Sequence, residues 1–171
     1  ETLTVNGKAV PFYAYENRVY VSHPKAAESE SLTLYIPAAY LEGGHINGYS
    51  AKTAPIFMPN GVGGYMPGKI QAPSETNREG TGPNAVLYAL SRGYVVAAPA
   101  IRGRTTTNSE NTYVGKAPAL IVDYKAAVRY LRHNRDSLPA GDTQRIIANG
   151  TSAGGALSAL LGATGNSDAY E

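Results

Sequence analysis

Cysteine and tryptophan are absent from this 171-residue sequence, and methionine and phenylalanine occur only twice each. Without cysteine, neither a disulfide framework nor a thiolate-ligated metal is open to the chain, although that alone selects no compartment. No apolar run comes near the roughly 20 residues that span a bilayer as a helix, and no secretory leader pattern is visible. Charge is sparse too. Only 16% of residues are Asp, Glu, Lys or Arg and the formal charge is +2. The cations are scattered rather than gathered into a stripe, which argues against nucleic acid or an anionic membrane as partner. What is plentiful is apolar residues, 43% of the chain, and glycine, 19 residues; that is enough for one domain with a substantial core. The first residue is Glu1 rather than Met, which fits a processed N-terminus. We therefore expect a secreted or cell-envelope protein, with the cytoplasm left open.

Along the chain, LTVNGKAVPFYAYENRVYVS (3–22) alternates apolar and polar residues around the turn formers Asn6-Gly7 and Glu16-Asn17, which predicts short antiparallel strands. SLTLYIP (31–37) is a further strand, and after the glycine-rich LEGGHINGYS (41–50) the apolar run APIFMPN (54–60) is short enough to be a buried one. The rhythm then changes. Pro83, expected at the first helical position, opens NAVLYALSR and Gly93 closes it; YVVAAP (94–99) follows as a buried strand. Pro118 opens a second helix, with Leu120, Tyr124, Val128 and Leu131 at helical spacing and Arg129, Arg132 and His133 near its C-terminal end, where cations suit the dipole. RIIAN (145–149) is a strand, and Ala153 to Thr164 is a helix stopped by Gly165. This alternation predicts a parallel sheet covered by helices, behind N-terminal antiparallel strands. The polar, Pro/Gly-rich stretch 67–83 reads as a surface loop.

The stretch IIANGTSAGGAL (146–157) holds a G-x-S-x-G pattern centred on Ser152. Glycine is common enough here for such a pattern to arise by chance, so its setting has to decide. A nucleophile elbow requires a strand before the serine, a helix after it and small residues beside it, because the turn is tight. All three are present: the strand at Ile146-Ile147, glycines at Gly150 and Gly154, and a helix from Ala153 whose N-terminal N–H groups suit developing negative charge. The second requirement is a donor for that charge from another loop. PIFMPNGVGGYMPG (55–68) supplies a strand followed by Asn60-Gly61-Val62-Gly63-Gly64, where glycine lets the main chain come close to a substrate. The same loop mimics a P-loop from Gly63 to Lys69. That reading fails, because Ile70 replaces the magnesium-binding hydroxyl, Pro67 removes an N–H and Pro73 obstructs the following helix.

With YIPAAYLEGGHINGYSAKTAPIFMPNGVGGYMPG, RGYVVAAPAIRGR and GDTQRIIANGTSAGGALSALLGATGNS in view, the chain resembles the N-terminal part of an α/β-hydrolase serine esterase. It is most similar to bacterial tannases and related feruloyl-ester hydrolases, from about Ser31 to Asn166. The resemblance implies that residues 1–171 form the N-terminal part of a single α/β-hydrolase domain, an incomplete portion of a mostly parallel sheet flanked by helices. It implies that Ser152 is the acyl-accepting nucleophile and that Ala153 N–H and an N–H from Gly61, Gly63 or Gly64 form the oxyanion hole. The substrate is expected to be a galloyl or other phenolic ester, with no cofactor and no metal.

One part of the chemistry is missing. In this fold the order is Ser, then Asp or Glu, then His, yet nineteen residues follow Ser152 and none is His. His23, His45 and His133 all precede it, and Asp168 follows too closely to be the expected triad acid. A complementary segment or second chain is expected to supply the acid, the base and the lid. The sequon Asn149-Gly150-Thr151 reads as unused, since it lies where a buried strand meets the elbow. Two alternatives stay open: a catalytically inactive binding module of the same fold, and an esterase or peptidase with a different substrate.

Overall fold

The structure is a computed structural model and describes residues 1–170. Strands β1 (Thr2–Val5) and β2 (Lys8–Val19) form a hairpin. Its two-residue turn, Asn6-Gly7, has both φ angles positive, at 49° and 74°, the geometry that matches strand twist and that Asn-Gly adopts at little cost. The turn expected at Glu16-Asn17 is instead a bulge inside β2. Tyr15 pairs with Leu34 and Arg18 with Leu32 of β3 (Ser31–Pro37), and Asn17 takes φ 55° between them. Because β3 offers partners on both sides, pairing continues past the turn formers and only the register shifts.

A short helix α1 (Ala38–Leu41), not anticipated from sequence, leads on to β4 (Pro55–Pro59). Helix α2 (Ala85–Ser91) is capped by Asn84, whose side chain accepts from Leu87 N at 2.9 Å. Pro83 therefore lies one place before the cap rather than first in the helix, since a side-chain oxygen satisfies an otherwise orphaned N–H and proline cannot. Then follow β5 (Val95–Pro99), α3 (Ala119–His133), β6 (Asp142–Asn149) and α4 (Ala153–Ala163).

The six strands form one mixed sheet in the order β1-β2-β3-β5-β4-β6. Pairings from β1 to β5 are antiparallel, while β4 runs parallel to both β5 and β6. Helices cover both faces. Leu32, Leu34, Ile56, Met58 and Val95 pack with Leu120, Tyr124 and Leu131 of α3 and Leu157 of α4. On the opposite face Phe12, Tyr35, Val96 and Ala98 pack with Val86, Leu87 and Leu90 of α2. Each fully buried large apolar side chain contributes about 1.5–3 kcal/mol, and β3 and β5, buried along their whole length, are where that contribution concentrates. Opposite β1, β6 forms the sheet's other edge. From Arg145 to Asn149 its residues alternate between exposed and half-buried, with Ile147 41% exposed.

Candidate active site

Ser152 lies at the turn from β6 into α4, with φ 57° and ψ −123°. A non-glycine residue reaches this region only at a cost of about 1–3 kcal/mol, so the surrounding chain must enforce it. The enforcement is visible. Gly154 N donates to Thr151 O at 3.0 Å and Ala156 N to Ser152 O at 3.1 Å, winding the helix directly out of the turn. Although Ser152 occupies the N-cap position, its hydroxyl makes no capping bond. Ala153, first in the helix, is buried, and its N–H has no acceptor among the described residues.

The glycine-rich loop after β4 comes to the same place. Asn60 to Gly63 and Asn149 to Ser152 line one cleft of about 330 Å³, joined by Gln71 and Arg78. Among the described residues nothing accepts from the N–H groups of Gly61, Val62 or Gly63. Gly61, Gly63, Gly150 and Ser152 are thus brought together, whereas Gly64, at φ 56°, lies just past the lining residues. The two elbow glycines are required by packing. A Cβ at Gly150 would stand 2.4 Å from Gly154 O and 2.6 Å from Asn60 Nδ2, and one at Gly154 would stand 2.4 Å from Asn60 Oδ1. At Gly63 a Cβ would meet nothing within 4 Å, so that position faces open space.

A third segment holds the glycine loop from behind. Ile101 and Gly68 exchange backbone bonds at 2.9 Å, and Arg104 N donates to Tyr65 O at 2.9 Å. Gly103 sits so close that a Cβ there would be 2.2 Å from Pro67 N. This segment is anchored by charge. Arg102 Nη2 meets Asp123 Oδ1 at 2.6 Å and Arg102 Nε meets Glu30 Oε1 at 3.3 Å. Arg102 also donates its backbone N–H to Asp123 Oδ2 at 2.9 Å and Nη1 to Val114 O at 2.9 Å. Burial pushes the Asp123 carboxyl above the ordinary carboxylate range, partly opposed by its bonds to Arg102.

Other residues singled out from sequence lie elsewhere. His23 contacts Ser22 Oγ at 3.0 Å, His133 ends α3 and His45 is exposed; none of the three lines the cleft. Asp168 is exposed in a short turn of helix after α4. The P-loop alternative stays rejected, since no helix follows Lys69 until α2. Asn149 proves exposed at its edge strand rather than buried. Sequence reasoning missed Gln71 and Arg78, which lie in the stretch taken for plain surface loop. A glutamine and an arginine among Pro and Gly carry no periodic signal that would place them in one cleft with a serine 81 and 74 positions further on.

The fold is shared with known proteins. Fusobacterium nucleatum tannase superposes with a TM-score of 0.94 at 52% identity, over 99% of this chain and 35% of that one. Tannase from Lactobacillus plantarum in its orthorhombic crystal gives 0.91 at 52% identity, over 100% and 36%. A tannin acyl hydrolase in complex with ethyl gallate gives 0.89 at 51% identity, over 99% and 37%. The chain thus spans about a third of the length of the solved tannases it matches, and its fold is the corresponding portion of the α/β-hydrolase fold. No curated protein sequence matches it. The BD-FAE family model matches residues 61–171, a stretch that takes in both the glycine loop and the Ser152 elbow, and the chain belongs to the BD-FAE family.

Proposed function

We propose that this chain carries the nucleophile and oxyanion site of a serine carboxylic-ester hydrolase. Ser152 Oγ attacks the ester carbonyl, and a base takes the hydroxyl proton. The oxygen that becomes negative is received by Ala153 N–H and an N–H from Gly61 or Gly63. The alcohol leaves with the proton returned by the base, and water then releases the acid from acyl-Ser152. The observation that carries this reading is the uncommitted Ser152 hydroxyl, held at φ 57°, in one cleft with N–H groups that have no acceptor among the described residues.

The substrate we propose is a galloyl or related phenolic ester. Support comes from the solved relatives, which are tannases, one of them a tannin acyl hydrolase in complex with ethyl gallate and another in complex with 3,4-dihydroxybenzoate. The base and its carboxylate partner we assign to residues outside this chain, because none of the three histidines lines the cleft. That same observation favours a second reading, a binding module that keeps the fold without the chemistry. A fluorophosphonate probe applied to the complete protein decides between them. Labelling of Ser152, together with methyl gallate hydrolysis abolished by Ser152→Ala, is expected of the enzyme. A folded protein that binds gallate yet is neither labelled nor active would establish the module.

A further inference from the structure

We propose that Asn60 is a positioning residue whose side-chain amide sets the gap between the oxyanion loop and Ser152; the inference rests on the reading of Ser152 as nucleophile. Asn60 directly follows β4, is 4% exposed, and leads straight into the loop Gly61–Gly63. Its Nδ2 donates to Asn149 O at 3.1 Å, to Gly154 O at 3.1 Å and to Ser158 Oγ at 3.0 Å. Its backbone N also donates to Asn149 O, at 2.8 Å. Asn149 stands three residues before Ser152 and Gly154 two after it, so one carboxamide grips the elbow on both sides of the nucleophile. Ser158, one turn on in α4, donates its own hydroxyl to Gly154 O at 3.0 Å and closes the network.

Two further features favour a geometric role over simple packing. Asn60 Oδ1 is buried and has no hydrogen-bond partner among the described residues, an arrangement that lowers stability and needs a reason. In addition, the carboxamide occupies the space that side chains at 150 and 154 would need, at 2.6 Å and 2.4 Å from their Cβ positions. The glycines of the G-x-S-x-G pattern therefore make room for Asn60, and the loop reaches Ser152 only with that amide seated between them. A shift of the amide moves the N–H groups of the next three residues, and displacement by about 1 Å is enough to lower a rate about 10²-fold.

The test uses the complete protein, with the rate of fluorophosphonate labelling at Ser152 and steady-state hydrolysis of methyl gallate. Asn60→Ala should lower kcat and the labelling rate by about 10²-fold while KM stays within about threefold, because aligned donors act on the transition state. Ser158→Ala, which removes one of the three acceptors, should lower kcat by about threefold at unchanged KM. A folded Asn60→Ala protein with wild-type kcat would overturn the proposal. Should Asn60→Ala fail to fold, Ser158→Ala decides: wild-type kcat overturns the proposal and the threefold loss supports it. Absence of labelling in the wild-type protein would instead remove the nucleophile reading, and this inference with it.

Discussion

Ser152 carries backbone strain at the residue we propose as nucleophile. Its φ of 57° is tolerated by glycine and resisted by any residue with a Cβ. We predict that Ser152→Gly raises the stability of the complete protein by about 1 kcal/mol relative to Ser152→Ala in urea unfolding, the relieved strain exceeding the extra entropy of glycine in the unfolded chain. Both variants should be inactive. Equal stability of the two would mean that the elbow is not strained. Two glycines of α4 give a matched contrast. Gly154→Ala places a methyl 2.4 Å from Asn60 Oδ1 and 3.0 Å from Val62 O, so ester turnover should fall by about 10²-fold. Gly162→Ala meets nothing within 4 Å and should leave turnover unchanged while adding up to about 1 kcal/mol of helix stability.

Among the elements, the loop from Gly61 to Gly68 is built between two constraints: open space in front and a tight backbone contact behind. Gly63→Val adds bulk toward the cleft without touching the fold, and kcat should fall by about 10²-fold with an unchanged melting temperature; retained turnover would move the oxyanion donors elsewhere. Gly103→Ala, by contrast, drives a methyl into Pro67 N at 2.2 Å, so melting temperature and turnover should fall together. The difference between these glycines was not legible in the sequence, where both simply follow strands. Ser152, Gly150 and Gly154 were legible because a strand–turn–helix passage leaves its signature within a dozen residues, as did the buried runs that became β3, β4 and β5. What escaped is what depends on distant partners. Glu16-Asn17 looks like a turn until β3 is seen to pair across it, and Asn60 looks like a turn residue until its amide is followed to residues 149, 154 and 158.

At the scale of the whole chain, burial first of all raises the phenol pKa values of Tyr20, Tyr35, Tyr40 and Tyr124 above the ordinary 10.0, with Tyr40 pushed up to about 12. The folded chain keeps these protons where the unfolded chain gives them up. Stability is therefore full below pH 10 and declines as pH rises beyond it, because the unfolded chain then binds fewer protons than the folded one. Urea unfolding at pH 9 and pH 11 should show the decline. Tyr124→Phe, which loses the 2.6 Å bond from its hydroxyl to Met58 O, should be less stable at pH 9 yet lose less between the two values; an identical slope would mean that Tyr124 ionises freely. The strand order has a consequence in time rather than in space. β4 lies between β5 and β6, so its second neighbour is synthesised about ninety residues after it, as the separation of 89 between Asn60 and Asn149 records. Closing so long a loop carries an entropic cost that must be met before the contact stabilises anything. During synthesis the glycine loop after β4 therefore waits without its clamp and β4 with one side unpaired, and the step that ends this exposure is the same one that brings Ser152 into its cleft.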